Sequence, residues 1–169
     1  TDTGSFRYAG TTPQTHLLAA RLLETGIPFD QMVRQLFDDA PFGYLGLLGR
    51  ALDRTVLEPD SVGGLGLVWT VVPALERKQA GLAFDLVEPI IDSVRKAQEA
   101  EVACVVKEDD AGGLRVSLRS KGQVDVSLVA AALGGGGHRY AAGFTSCSRE
   151  LAAVIEAVRD GLAHAPHLE

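Results

Sequence analysis

Apolar positions recur along this chain in two periods, one helical and one alternating. Leu17, Leu18 and Leu22 follow Thr12 and Pro13, a pair suited to cap a helix and open its first turn, and Gly26 marks where that helix stops. A second helix starts at Asp30 with Val33, Leu36 and Phe37 on its apolar side and ends at Pro41. A third runs from Phe42 or Gly43 to Leu57, with Gly43, Gly46 and Gly49 spaced to permit close helix packing. After Gly63-Gly64-Leu65-Gly66 the pattern changes. Leu67 to Val72 is an unbroken apolar run closed by Pro73, which predicts a buried strand. Residues 74–83 are polar and contain Gly81, a candidate linker. Leu86, Ile90, Ile91 and Val94 return to helical spacing, with Pro89 in the first turn or kinking the helix. Val102 to Lys107 and Leu114 to Ser120 flank the Asp109-Asp110-Ala111-Gly112-Gly113 turn and predict a hairpin. Asp125 caps a helix reaching Leu133, with Val126, Val129, Ala130 and Leu133 inward; Phe144 to Cys147 reads as a strand; Ser148 caps a last helix through Leu162 that buries Leu151, Val154, Ile155 and Val158. Strands and helices alternate, so the second part is α/β.

Composition narrows the class. At 169 residues and 46% hydrophobic content the chain has material for one ordinary domain or two small ones. No apolar run approaches the ~18 residues of a membrane span, and the start lacks the regions of a signal peptide, so cytoplasm is the expected setting. A net charge of -6 and a pI near 5.2 argue against a broad basic surface for long nucleic acids, while a few well-placed donors suffice for short nucleotides. Cys104 and Cys147 have neither zinc spacing nor a disulfide framework, and both are expected as buried small hydrophobes in strands.

Two clusters carry candidate chemistry. Gly134-Gly135-Gly136-Gly137-His138-Arg139 combines residues that permit close backbone approach with side chains that bind anions, and successive amides in such a loop can converge on a phosphate. Glycine runs are also plain turns, or seams where a helix leaves a sheet. Upstream, alternation along Val116-Ser117-Leu118-Arg119-Ser120 sends Ser117 and Arg119 to one strand face, and the guanidinium fork suits phosphate oxygens. The loop follows a helix C-terminus, so anion affinity has to come from the amides, His138, Arg139 and a short helix starting near His138. His138 directly after the glycines favours binding over a structural or acid role. Tyr140 could stack on a base, but beside Ala141 and Ala142 a core position is favoured. Asp2 alone reads as an ordinary turn aspartate, and Arg7 as a solvated arginine or a phosphate contact. His16, His164 and His167 read as surface residues.

Ser117-x-Arg119-Ser120, Val124-Asp125-Val126, Ala130, Gly134 to His138 and Ala141-Ala142-Gly143 resemble the DHH-associated substrate domain of the DHH phosphoesterases. The opening Thr1-Asp2-Thr3-Gly4-Ser5-Phe6-Arg7-Tyr8 is similar to the fourth metal-site motif of the oligoribonuclease and pAp phosphatase (nano-RNase) branch. Asp2-Thr3-Gly4-Ser5 is also similar to an aspartic protease motif, but the helices that follow do not suit that mostly β fold. The Asp-x-Asp and Asp-His-His motifs of the family's catalytic half do not occur here, so the chain resembles the C-terminal portion of such an enzyme.

The resemblance implies an α/β arrangement in which residues 1–73 finish the DHH catalytic domain, 74–84 link, and 85–165 form a smaller substrate-binding domain with a mixed sheet. It implies a parent phosphoesterase using two Mn2+ ions, with Asp2 supplying one ligand and the fragment alone inactive. Ser117, Arg119, Gly135, Gly136, Gly137, His138 and Arg139 become substrate-binding residues, and none is assigned as catalytic. Expected partners are short RNA oligonucleotides or nucleotides, pAp, and linear or cyclic dinucleotides, without a membrane; a homodimer is left open. The alternatives are a non-catalytic nucleotide-binding module and a RecJ-type single-strand exonuclease, the latter disfavoured by the acidic balance.

Overall fold

The computed structural model describes residues 3–8 and 10–168. The chain forms two compact units, residues 1–40 and 41–169.

In the first unit, Thr12 and Thr15 cap each other's amides at 3.3 and 3.1 Å in front of α1 (Pro13–Glu24), and Pro13 opens the first turn as its pre-set φ favours. Gly26, at φ 77°, ends it. The short α2 (Phe29–Val33) continues as a π-helical turn over Arg34–Asp38. The apolar side expected at Leu36 and Phe37 is 71% and 60% exposed.

The second unit starts with α3 (Phe42–Asp53), three residues after which β1 (Val56–Glu58) begins. The third helix therefore ends earlier than the sequence pattern predicts, because Val56 to Glu58 pair antiparallel with Trp69 to Leu67. Of the three glycines in α3, only Gly43 is required by packing: a Cβ there would lie 2.2 Å from the Ala80 carbonyl oxygen. A single turn, α4 (Ser61–Gly64), leads to β2 (Leu67–Val72) and α5 (Ala74–Gln79). A 3-10 turn at Phe84–Val87 precedes α6 (Ile90–Val94), then the hairpin β3 (Val102–Glu108) and β4 (Leu114–Ser120). The chain closes with α7 (Val126–Ala132), β5 (Gly136–His138), β6 (Ala141–Thr145) and α8 (Leu151–Ala163).

All six strands form one mixed sheet in the order β1-β2-β3-β4-β6-β5, parallel only between β2 and β3. The segment expected to be a linker is instead the first part of the crossover between those parallel strands, which requires an intervening connection of this length. Arg77 within it is 4% exposed, donates to the Leu82 carbonyl at 2.9 Å and pairs with Asp110 of the hairpin turn. Residues 74–84 thus lie inside the second unit, and the division falls between Ala40 and Pro41.

Strand alternation divides the apolar residues between two faces. Behind the sheet, Leu67, Val102, Cys104, Val106, Val116, Leu118 and Phe144 pack with α7 and α8 through Val126, Val129, Ile155 and Val158. In front, Val68, Val72, Ala103 and Val105 pack with Leu47 and Ala51 of α3 and Ile90, Ile91 and Val94 of α6. The Thr70 hydroxyl, fully buried, donates to the Ala51 carbonyl at 2.6 Å and ties α3 to the front. Cys104 is buried, and desolvation pushes its thiol up to about 12; Cys147 is exposed and lies beyond the end of β6, against the expectation of burial.

Candidate anion-binding site

The front layer covers β2 and β3 and reaches β4 through α6 and Phe84, whose ring lies 5.0 Å from the Arg115 guanidinium, while Ser117, Arg119 and the front residues of β6 and β5 stay half-buried or exposed. Register decides what that open half presents, because residues directly opposite across a sheet share a face. Arg119 lies opposite Ala141, which lies opposite His138; in the next row on the same face, Ser117 lies opposite Gly143, which lies opposite Gly136. Two strand spacings, roughly 9.5 Å, separate the polar residues on β4 from His138 on β5. Between them run Ala141, Gly143 and Gly136. The result is a shallow trough with a small-residue floor, a guanidinium and a hydroxyl on one side, and an imidazole on the other.

Arg119 is half-buried; its only side-chain hydrogen bond among the described residues runs to the neighbouring Leu118 carbonyl at 3.0 Å, and it forms no ion pair with them. His138 is exposed, and its ring is bonded to no described residue. Both cationic or hydrogen-bonding heads are therefore available to an incoming anion.

The four glycines divide into distinct roles. Gly134, at φ 82°, and Gly135 end α7 in a Schellman cap, their amides donating to Ala131 at 3.1 Å and Ala130 at 2.8 Å. Those amides are used by the helix and do not form the anion nest expected from the sequence. At Gly135 a Cβ would lie 2.1 Å from the Gly143 carbonyl oxygen, and at Gly137, φ 146°, 2.5 Å from the Ala142 Cα. Both are bare so that the chain can approach β6. Gly136 differs: its φ is not in the left-handed region, and a Cβ there would meet nothing within 4 Å. Its missing side chain faces the trough.

His138 belongs to β5 and begins no helix, because the Schellman cap redirects the chain into a hairpin that turns at Arg139-Tyr140. Arg139 is not on the trough side. Its guanidinium lies 3.5 Å from Asp125, the N-cap of α7 behind the sheet, while Asp125 also accepts from the Ser127 amide at 3.0 Å. Tyr140, expected in the core, is 48% exposed at the hairpin tip.

One participant is invisible to the sequence pattern. Lys107, at the end of the apolar run of β3, is 3% exposed and lies one row beyond Ser117 on the front face. Its ammonium donates to the Ser117 hydroxyl at 2.9 Å and pairs with Glu88 at 2.5 Å. Burial, helped by the nearby Arg119 and Arg115 charges, pulls Lys107 below the usual lysine range, against the pull of Glu88. Phe84 sits under the same group, 5.8 Å from the ammonium and 5.0 Å from the Arg115 guanidinium.

Asp2, the expected metal ligand, lies outside the described residues. Arg7 donates to the Gly4 carbonyl at 2.8 Å, within the turn it occupies. Among the described residues no group of three or more His, Cys, Asp or Glu side chains is placed to hold a metal ion, so these residues do not by themselves fit a binuclear centre.

Comparison with known proteins decides the family. Residues 69–163, running from within β2 to the end of α8, match the DHHA1 domain. This chain belongs to the DHHA1 family. The DHHA1 region holds every trough residue. Over 99% of its length the chain is 34% identical to the bifunctional oligoribonuclease and PAP phosphatase NrnA of Thermus thermophilus, covering 50% of that protein. It is 29% identical, over 87% of its length, to the probable bifunctional oligoribonuclease and PAP phosphatase NrnA of Streptococcus mutans, of which it covers 45%. The chain thus spans about half the length of the curated relatives it matches. An exopolyphosphatase-related protein from Bacteroides fragilis shares the fold with a TM-score of 0.82 at 21% identity, over 95% of this chain and 46% of the other. No helix among the described residues is long and apolar enough to cross a membrane.

Proposed function

We propose that this DHHA1 chain is the substrate-binding portion of a phosphoesterase that acts on short oligoribonucleotides and PAP, and that the front trough grips a phosphate of the substrate. The observation that carries this reading is the row Arg119-Ala141-His138 beside the row Ser117-Gly143-Gly136. Donors stand on both sides of a floor without side chains long enough to block it. The names of the relatives supply the substrate class: an enzyme for short RNA and for a nucleotide bisphosphate needs charge-assisted donors placed for a few phosphates.

In the proposed complex the Arg119 fork binds two oxygens of one phosphate, Ser117 donates its hydroxyl proton to the same group, and His138 donates from the opposite side. Gly136 lets the substrate lie against the β5 backbone. Two manganese ions, when bound to the complete enzyme, would activate water and neutralise the scissile phosphate. Their ligands, Asp2 apart, would come from sequence outside these 169 residues. The chain by itself binds without turning over, and linear or cyclic dinucleotides are the further substrates to try.

Two substitutions test the reading by calorimetric titration with PAP. Arg119→Ala should weaken binding by about 10–100-fold, the equivalent of one lost charge-assisted contact. Gly136→Ala should change stability by less than about 1 kcal/mol, since its methyl meets open space, yet weaken binding measurably. If both variants bind PAP like the parent chain, the trough is not the site.

A further inference from the structure

Ser117 faces the trough, but a serine hydroxyl can either donate or accept. Behind it, the Lys107 ammonium approaches Ser117 Oγ at 2.9 Å. An ammonium carries three donors and no acceptor, so in this contact the oxygen must accept and the hydroxyl proton is left to point elsewhere. No other described group takes that proton. The Lys107 side chain is 3% exposed, and its ion-pair partner, Glu88, is 49% exposed. The ammonium is thus held between a partly solvated carboxylate and the hydroxyl of Ser117.

We propose that Lys107 is a positioning residue for phosphate recognition: its buried ammonium holds Ser117 as an obligate donor to the anion in the trough and adds positive potential beside that hydroxyl. Lys107 does not touch the substrate. The inference rests on the trough being the phosphate site.

A double-mutant cycle on this chain, read by titration with PAP and with inorganic phosphate as the minimal anion, tests it. Lys107→Met keeps the length of the stem while removing charge and donors, and should weaken PAP binding about 10-fold; Ser117→Ala should weaken it several-fold, and the double variant should bind no worse than about twofold below Lys107→Met alone, because the two changes remove one unit. Glu88→Gln breaks the same ion pair without touching Ser117, so it should keep affinity within about twofold if the lysine acts through Ser117 and not merely by anchoring its surroundings. If Lys107→Met does not fold, Lys107→Gln takes its place: an amide can accept as well as donate, the serine proton is no longer directed outward, and affinity should again fall. Additive losses, or parental affinity in the lysine variant while Arg119→Ala binds weakly, overturn the role of Lys107 and leave the trough standing. Parental affinity in Arg119→Ala as well overturns both.

Discussion

The front face of the sheet is one surface with two halves. Over β2 and β3 it carries Val68, Thr70, Val72, Ala103 and Val105, all buried; over β4, β6 and β5 it carries Ser117, Arg119, Ala141, Gly143, Gly136 and His138, all half-buried or exposed. The backbone is the same hydrogen-bonded ladder throughout. What differs is side-chain area. Valines give α3 and α6 apolar surface to cover at about 25 cal/mol per Å², whereas glycine and alanine offer little and the arginine and serine would have to be desolvated. The helical layer therefore stops at β4. Where it stops, polar heads stand on a rigid sheet held from behind by a complete core, which is the arrangement that fixes a binding site without strain.

The largest effect should come from the closed half. Ile91 is 1% exposed in the front core, and Ile91→Ala should lower unfolding free energy by about 2–5 kcal/mol in urea melts while leaving PAP affinity of the folded protein intact. Loss of affinity at full stability would break the division between the halves.

Neighbouring glycines sharpen it. Gly135→Ala places a methyl against the Gly143 carbonyl and should cost about 1–3 kcal/mol by overpacking, whereas Gly136→Ala, one residue on, should be nearly silent in the same melt. Equal destabilisation by both would mean that Gly136 is bare for the fold and not for a ligand.

Acid separates the two sides of the sheet by a smaller margin. Arg159 of α8 donates to Glu58 of β1 at 2.9 and 2.7 Å and, with Trp69 and Ser61, holds the carboxyl down to about 2, against a desolvation that pushes it up. A value below the ordinary 4.5 means that stability is present above pH 4.5 and is lost as pH falls from there toward 2. Glu58 should account for about 2 kcal/mol of the drop in melts across that window, and Glu58→Gln should lose that share while keeping the part due to Glu76, Asp109 and Asp110, whose carboxyls are also held down. The trough rows hold no carboxylate, so none of this loss arises in them.

Much of this was legible from local pattern. The Thr12-Pro13 start, the hairpin around Gly112-Gly113, the Asp125 cap and the alternation that puts Ser117 with Arg119 all depend on neighbours a few residues apart. What was hidden depends on long-range pairing. Residues 74–84 look like a linker until β2 is seen to lie parallel to β3, and Leu57 reads as helix until β1 is seen to pair with β2. Four glycines look alike in sequence, yet two cap a helix, two approach β6, with Gly135 serving both, and only Gly136 opens on the trough. Arg139 adjoins His138 in sequence but pairs behind the sheet, and Lys107 lies ten residues from the serine it orients.

The most direct test follows backbone amide resonances while PAP is added to the chain. The account predicts that the largest shifts cluster on Ser117, Arg119, Gly136, His138 and Gly143 and saturate together, with β2, α3 and α6 quiet. Shifts centred on the closed half, or none at saturating PAP, would contradict it.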